Sequence, residues 1–249
     1  MPRAPATGGR VWLRSLAFNL FFFGFTTVML FTMWLFLVVP RRWTQWIVRV
    51  WTKGVWWGLR WIIGLDYEVR GRERIPPGPV ILASKHQSAW DTAAFYLLFD
   101  DPCYVIKKEL FSIPIWGWYA RKAGMIGVDR RGRTRALKKM VEDCVAALAK
   151  GRTLIIFPEG TRTAPGERRP YQPGIAAVYA AANVPVVPVA VNSGLFWGRR
   201  SFAKTGGVVV LEFLPPIPPG RSREDFMAAL ATSIEDASAR LAQEGRQAP

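Results

Sequence analysis

Apolar positions run almost unbroken through the first 65 residues and then fall into short runs separated by polar stretches. Residues 16–39, LAFNLFFFGFTTVMLFTMWLFLVV, carry no charged side chain across 24 positions. At about 1.5 Å per residue this stretch makes roughly 36 Å of helix, enough to cross a bilayer core. It exceeds the apolar region of a signal peptide, and no small-x-small cleavage site follows it. The pattern predicts a retained membrane segment.

Residues 43–65, WTQWIVRVWTKGVWWGLRWIIGL, are different in kind. Trp34 and the six tryptophans from Trp43 to Trp61 make up seven of the twelve in the chain. On a helix at about 100° per residue, Gln45, Arg49, Thr52, Lys53 and Arg60 fall on one narrow stripe. A charged stripe on a Trp-rich helix predicts a segment lying at headgroup depth; a second spanning helix is the alternative, and charges near its middle make it costly. Residues 1–65 thus read as two membrane-anchoring helices. Arg3, Arg10 and Arg14 precede the first segment and Arg41, Arg42 and Arg49 follow it, so the positive-inside comparison ties. The first segment either spans or dips in with both ends on the cytoplasmic side.

From residue 66 onward, β-branched runs predict strands at 67–71, 79–84, 103–107, 124–128, 153–157, 186–192 and 207–214. Residues 132–150 repeat apolar side chains at three and four positions and end at Gly151, which predicts a helix. Residues 222–243 predict another, opened by Ser222 and Asp225 as a capping box. Shorter helices fit 89–99 and 173–182. This alternation predicts an α/β fold: a mostly parallel or mixed sheet of about seven strands flanked by helices.

Charge adds to this picture through its placement. The net charge is +16, and residues 1–65 supply +8 of it with eight basic and no acidic side chains. Basic residues beside an apolar span point to anionic lipid, and they argue against nucleic acid. Cys103 and Cys144 are 41 residues apart with no ligand spacing, and read as small buried side chains.

Candidate chemistry gathers where strands end, the usual ligand edge of an α/β sheet. After strand 79–84 comes KHQSAWD, with His86, the only histidine, and Asp91. A carboxylate on one imidazole nitrogen would leave the other free to take a proton. Taken alone, a loop histidine beside a helix-start acid is the plainer reading. FPEGTR at 157–162 offers Gly160 for close backbone approach, the Thr161 hydroxyl and the Arg162 fork for phosphate. GVDRR at 127–131 places Arg130 at another strand end, and Lys107 and Lys108 end a further one. No metal-ligand cluster is evident.

HQSAWD resembles the HX4D block of the glycerolphosphate acyltransferases. IGVDRR, FPEGTR and VPVVPVAV (184–191) are similar to the family's remaining three blocks, in the family's order over roughly residues 67–215. Small size and the anchoring N-terminus most resemble the PlsC-type 1-acylglycerol-3-phosphate acyltransferases. The resemblance implies that residues 66–249 form a catalytic domain. It implies transfer of an acyl group from acyl-CoA or acyl carrier protein to lysophosphatidic acid, with no cofactor besides the donor. It also implies a place on the cytoplasmic face of a bacterial inner membrane, in contact with phospholipid. His86 would be the base and Asp91 its orienting partner. Arg162, Lys107 and Arg130 would bind phosphate beside Gly160 and Thr161. Glu159 would hold glycerol hydroxyls or fix Arg162. Two positions depart from the family pattern: Lys85 stands where Asn is frequent, and Thr163 where Ser is common. Lys85 either points toward His86, disfavouring the imidazolium, or outward to headgroups or the carrier.

Overall fold

A computed structural model describes residues 8–33, 38–129 and 132–247. Seven strands form one sheet: β1 Leu65–Arg70, β2 Ile81–Ser84, β3 Pro102–Lys107, β4 Ile126–Val128, β5 Thr153–Ile156, β6 Val186–Val191 and β7 Gly207–Phe213. Their order is β1-β7-β6-β2-β5-β3-β4. Every pairing is parallel except β6 with β7, so the sheet is mixed. All seven strands lie where the β-branched runs predict them.

Both faces of the sheet are covered, which is why its central strands read as continuous apolar runs. On one face, α5 (Arg133–Ala149), α6 (Gly174–Ala182) and α7 (Arg223–Gln247) enclose Ile81, Ala83, Leu154 and Ile156 with Cys144, Val178 and Phe226. On the other, α3 (Trp90–Leu98) and the two N-terminal helices pack against Leu82, Ile155, Val187 and Val189. Ser222 Oγ accepts the backbone N–H of Asp225 at 3.0 Å, so the predicted cap of α7 forms. Both cysteines are buried and free.

The N-terminal helices are α1 (Gly9–Met33) and α2 (Arg41–Gly58), the latter continued by a π-turn over Leu59–Ile63. Among the described residues only α1 is long and apolar enough to cross a membrane. The two helices run antiparallel: Gly54 meets Phe25 and Gly58 meets Phe21. A Cβ on either glycine would collide with the facing ring, so small residues one turn apart let the helices close. Phe18, Val55, Leu59 and Ile63 enter the same core as the sheet, so the two N-terminal helices are docked on the α/β unit.

Part of the polar stripe of α2 differs from its expected role, while Lys53 and Arg60 stay exposed. Arg41 and Gln45 bond Asp101, at 2.7 Å in each case, and Arg49 bonds Asp100 at 2.7 Å. Arg49 also donates to the carbonyls of Tyr96 and Phe99, which the end of α3 leaves without helical partners. These groups face protein because the α3–β3 turn supplies carboxylates and open carbonyls. Trp43, Trp46, Trp57 and Trp61 are exposed. Sequence patterning also misses α4 (Trp116–Lys122). Gly117 in this helix has no room for a side chain, because a Cβ would strike the Phe111 carbonyl.

Candidate active site

β2 ends at Ser84, and the chain then turns into α3. That turn brings His86 back against Asp91 in the first turn of the helix: Nδ1 lies 3.1 Å from Oδ2. The same oxygen accepts the backbone N–H groups of Gln87 at 2.6 Å and Ser88 at 2.8 Å. Oδ1 accepts the Ser193 hydroxyl at 2.5 Å. Asp91 is 1% exposed, so these donors rather than water satisfy its oxygens. With its oxygens accepting from Gln87, Ser88 and Ser193, the carboxyl acts as an acceptor toward the ring as well, so Nδ1 carries the imidazole proton and the Nε2 lone pair is left free.

The third sequence block cradles this loop. Glu159 Oε2 accepts the His86 backbone N–H at 2.9 Å, and the Thr163 N–H donates to the His86 carbonyl at 2.8 Å. The Thr163 hydroxyl lies 2.8 Å from Glu159 Oε1, a position that keeps the hydroxyl common in the family. Phe157 stacks on the imidazole at a centroid distance of 4.1 Å.

Lys85 points neither at the imidazole nor outward. Its side chain is 1% exposed, with Nζ 2.6 Å from Glu159 Oε1 and 2.8 Å from Glu235 Oε1 on α7. Nζ also donates to the Glu167 carbonyl at 3.2 Å, and Tyr171 donates to Glu235 at 3.0 Å. In β2 the side chains alternate between the sheet's faces, and Lys85 extends that strand. It therefore faces the α7 side while His86 faces the cavity. Glu159 departs from expectation for the same reason: Lys85, Thr163 and His86 take its oxygens, and Arg162 does not. Burial pushes its carboxyl above the ordinary 4.5, against the lowering pull of Lys85 and the three hydrogen bonds.

A cavity of about 840 Å³ opens at this edge. His86, Lys107, Gly160, Thr161 and Arg162 line it, so the structure gathers most of the sequence-derived site. Arg130 lies outside the described residues. Gly160 adopts φ 67, a left-handed turn that suits glycine. One part of the cavity is apolar and extends to Met29 and Leu30 of α1 and Val48 and Trp51 of α2. Sequence reading missed Ser193, whose only signal is its place just beyond β6. It also missed Arg199 and Arg200, which line the cavity from the following loop.

The acyltransferase family model matches residues 66–192, just over half of the chain. The chain is 36% identical over 165 residues to the 1-acyl-sn-glycerol-3-phosphate acyltransferase of Pseudomonas aeruginosa, covering 66% of this chain and 64% of that one. It is 30% identical over 179 residues to the human 1-acyl-sn-glycerol-3-phosphate acyltransferase alpha, covering 71% and 63%. The matches span just under two thirds of these curated relatives. The crystal structure of the 1-acyl-sn-glycerophosphate acyltransferase PlsC from Thermotoga maritima superposes with a TM-score of 0.74 at 24% identity. That alignment covers 95% of this chain and 98% of the other, so the two share a fold from end to end. On the matched family model and the 36% identity, the chain belongs to the acyltransferase family.

Proposed function

We propose that this protein moves a fatty acyl group from a thioester donor, acyl-CoA or acyl carrier protein, to the sn-2 hydroxyl of lysophosphatidic acid, giving phosphatidic acid. The observation that carries this is the His86–Asp91 pair on the wall of a cavity that is cationic at one part and apolar at another. In this reading His86 Nε2 takes the hydroxyl proton as the oxygen attacks the thioester carbonyl. The tetrahedral adduct collapses, the C–S bond breaks, and the imidazolium returns its proton to the departing thiolate. Asp91 holds the ring and stabilises its cation. Both cysteines are buried on strand and helix, away from the cavity lining, which favours direct attack over an acyl-enzyme.

Arg162 and Lys107 bind the acceptor phosphate, with Thr161 as a further donor and Arg130 as a candidate from the neighbouring strand end. The apolar reach toward Met29, Leu30 and Trp51 takes an acyl chain. α1 and α2 form the anchor. α1 dips into the cytoplasmic leaflet of a bacterial inner membrane, the exposed α2 tryptophans sit at headgroup depth, and the acceptor enters without crossing water. Incubating the purified chain with each donor and a panel of lysolipids, with products identified by mass, tests the reading. Phosphatidic acid made from lysophosphatidate supports it; transfer to a different lysolipid alone sinks the acceptor assignment.

A further inference from the structure

Beyond β6 the chain enters a loop, residues 192–206, that lies outside the four sequence blocks. Both flanks of this loop are fastened to α1. Trp197 sets its ring edge-on to Phe18 at 5.6 Å and Phe22 at 5.8 Å. Lys204 donates through Nζ to Asn19 Oδ1 at 2.6 Å and through its backbone N–H to Ser15 Oγ at 2.9 Å. Phe202 packs on Trp12 at 5.8 Å.

Between these clamps lie Arg199 and Arg200, both exposed and both on the cavity wall that carries His86. Arg199 donates to the Arg162 carbonyl at 3.3 Å, which joins the loop to the third block. Arg200 sits at φ 57, a left-handed conformation that a bulky residue adopts only where its surroundings impose it. Arg168 and Arg169, by contrast, are paired with Asp236 and Glu167. Arg162, Arg199 and Arg200 form no salt bridge among the described residues. The order β6-β2-β5 sets the loop and the third block on opposite sides of the His86 strand.

With α1 placed in the membrane as proposed above, a lipid acceptor leaving the bilayer along that helix passes this clamped loop. A phosphate monoester is small and doubly charged, and several guanidinium forks suit it. A zwitterionic headgroup brings a cation that the same cluster repels. We propose that Arg199 and Arg200 join Arg162 and Lys107 in seating the acceptor's phosphate monoester and make the site prefer lysophosphatidate to zwitterionic lysophospholipids. This rests on the reading of the chain as a lysophospholipid acyltransferase.

The test measures KM and kcat of full-length Arg199→Ala/Arg200→Ala in neutral detergent micelles, with lysophosphatidate, lysophosphatidylcholine and acyl-CoA each varied. The acceptor KM for lysophosphatidate rises roughly tenfold or more, from lost charge-assisted bonds, while kcat and the donor KM hold. Preference over lysophosphatidylcholine narrows by a similar factor. Arg168→Ala/Arg169→Ala, the charge-matched control, leaves all three constants unchanged. Arg200→Gly, which suits the left-handed backbone, gives the same direction of change if the double variant folds poorly. An unchanged acceptor KM, or a raised donor KM, overturns the proposal. So does an effect seen only on anionic vesicles, which would assign these arginines to the membrane surface. A wild-type protein that acylates no lysophospholipid sinks the underlying reading; an active variant with unchanged constants sinks the seat alone.

Discussion

Asp91 Oδ2 holds the His86 ring at 3.1 Å while also accepting two backbone N–H groups from the turn between the two residues. One oxygen thus fixes both the imidazole and the loop that carries it. The carboxylate must remain an acceptor for either job to be done.

Asp91→Asn keeps the shape and removes the charge. An amide oriented to accept the backbone N–H groups no longer stabilises the imidazolium, and one turned toward the ring favours the wrong tautomer. We expect kcat for acyl transfer to fall by on the order of 10⁴, with lysophosphatidate KM little changed. Steady-state kinetics beside a thermal melt separate this from unfolding. A variant with near-normal kcat would show that the carboxylate is only structural.

Ser193→Ala removes the hydroxyl that satisfies Asp91 Oδ1 at a fully buried position. Leaving that oxygen without its donor costs about 1–3 kcal/mol of stability, read by urea unfolding. Because the carboxylate then shifts, kcat falls as well; Ser193→Thr, which retains the hydroxyl, recovers part of it.

Lys85→Met leaves Glu159 and Glu235 buried beside one another without their shared cation. Breaking a buried pair in this way destabilises by about 3–5 kcal/mol. Adding Glu235→Met recovers part of the loss, because the second uncompensated charge goes too. A double-mutant cycle by chemical denaturation measures the coupling, and additive costs would mean that the two residues do not interact.

Glu159 gives a pH signature. Its folded pKa is raised above 4.5, so the native chain binds this proton more tightly than the unfolded chain. Stability contributed at this position is therefore greatest at low pH and declines as pH rises from 4.5 through the folded value. Glu159→Gln carries no such proton. The stability of the wild type relative to this variant should decrease over that range in denaturant titrations; a flat difference would mean that the carboxyl is unperturbed.

Much of this was legible in the sequence, for identifiable reasons. Strands buried on both faces announce themselves as β-branched runs, and all seven form. The His86–Asp91 pair and FPEGTR are short-range patterns fixed by a strand end and the turn after it. What escaped depends on contacts distant in sequence. Lys85 finds Glu235 across 150 positions, and Ser193 finds Asp91 across 102. Gln45 and Arg49 of the α2 stripe looked like membrane-facing groups because nothing local reveals that Asp101 and Asp100 fold back onto them. The helix over 116–122 went unread, because the close approach of Gly117 to the Phe111 backbone that it depends on exists only after folding.

Replacing His86 by Ala tests the central claim most directly. The measurement is the rate of phosphatidate formation from lysophosphatidate and a thioester donor, by purified variant and wild type side by side. The account predicts an intact fold and unchanged membrane association, with turnover reduced by about 10²–10⁴-fold or more. Turnover close to wild type in a folded His86→Ala protein would contradict it.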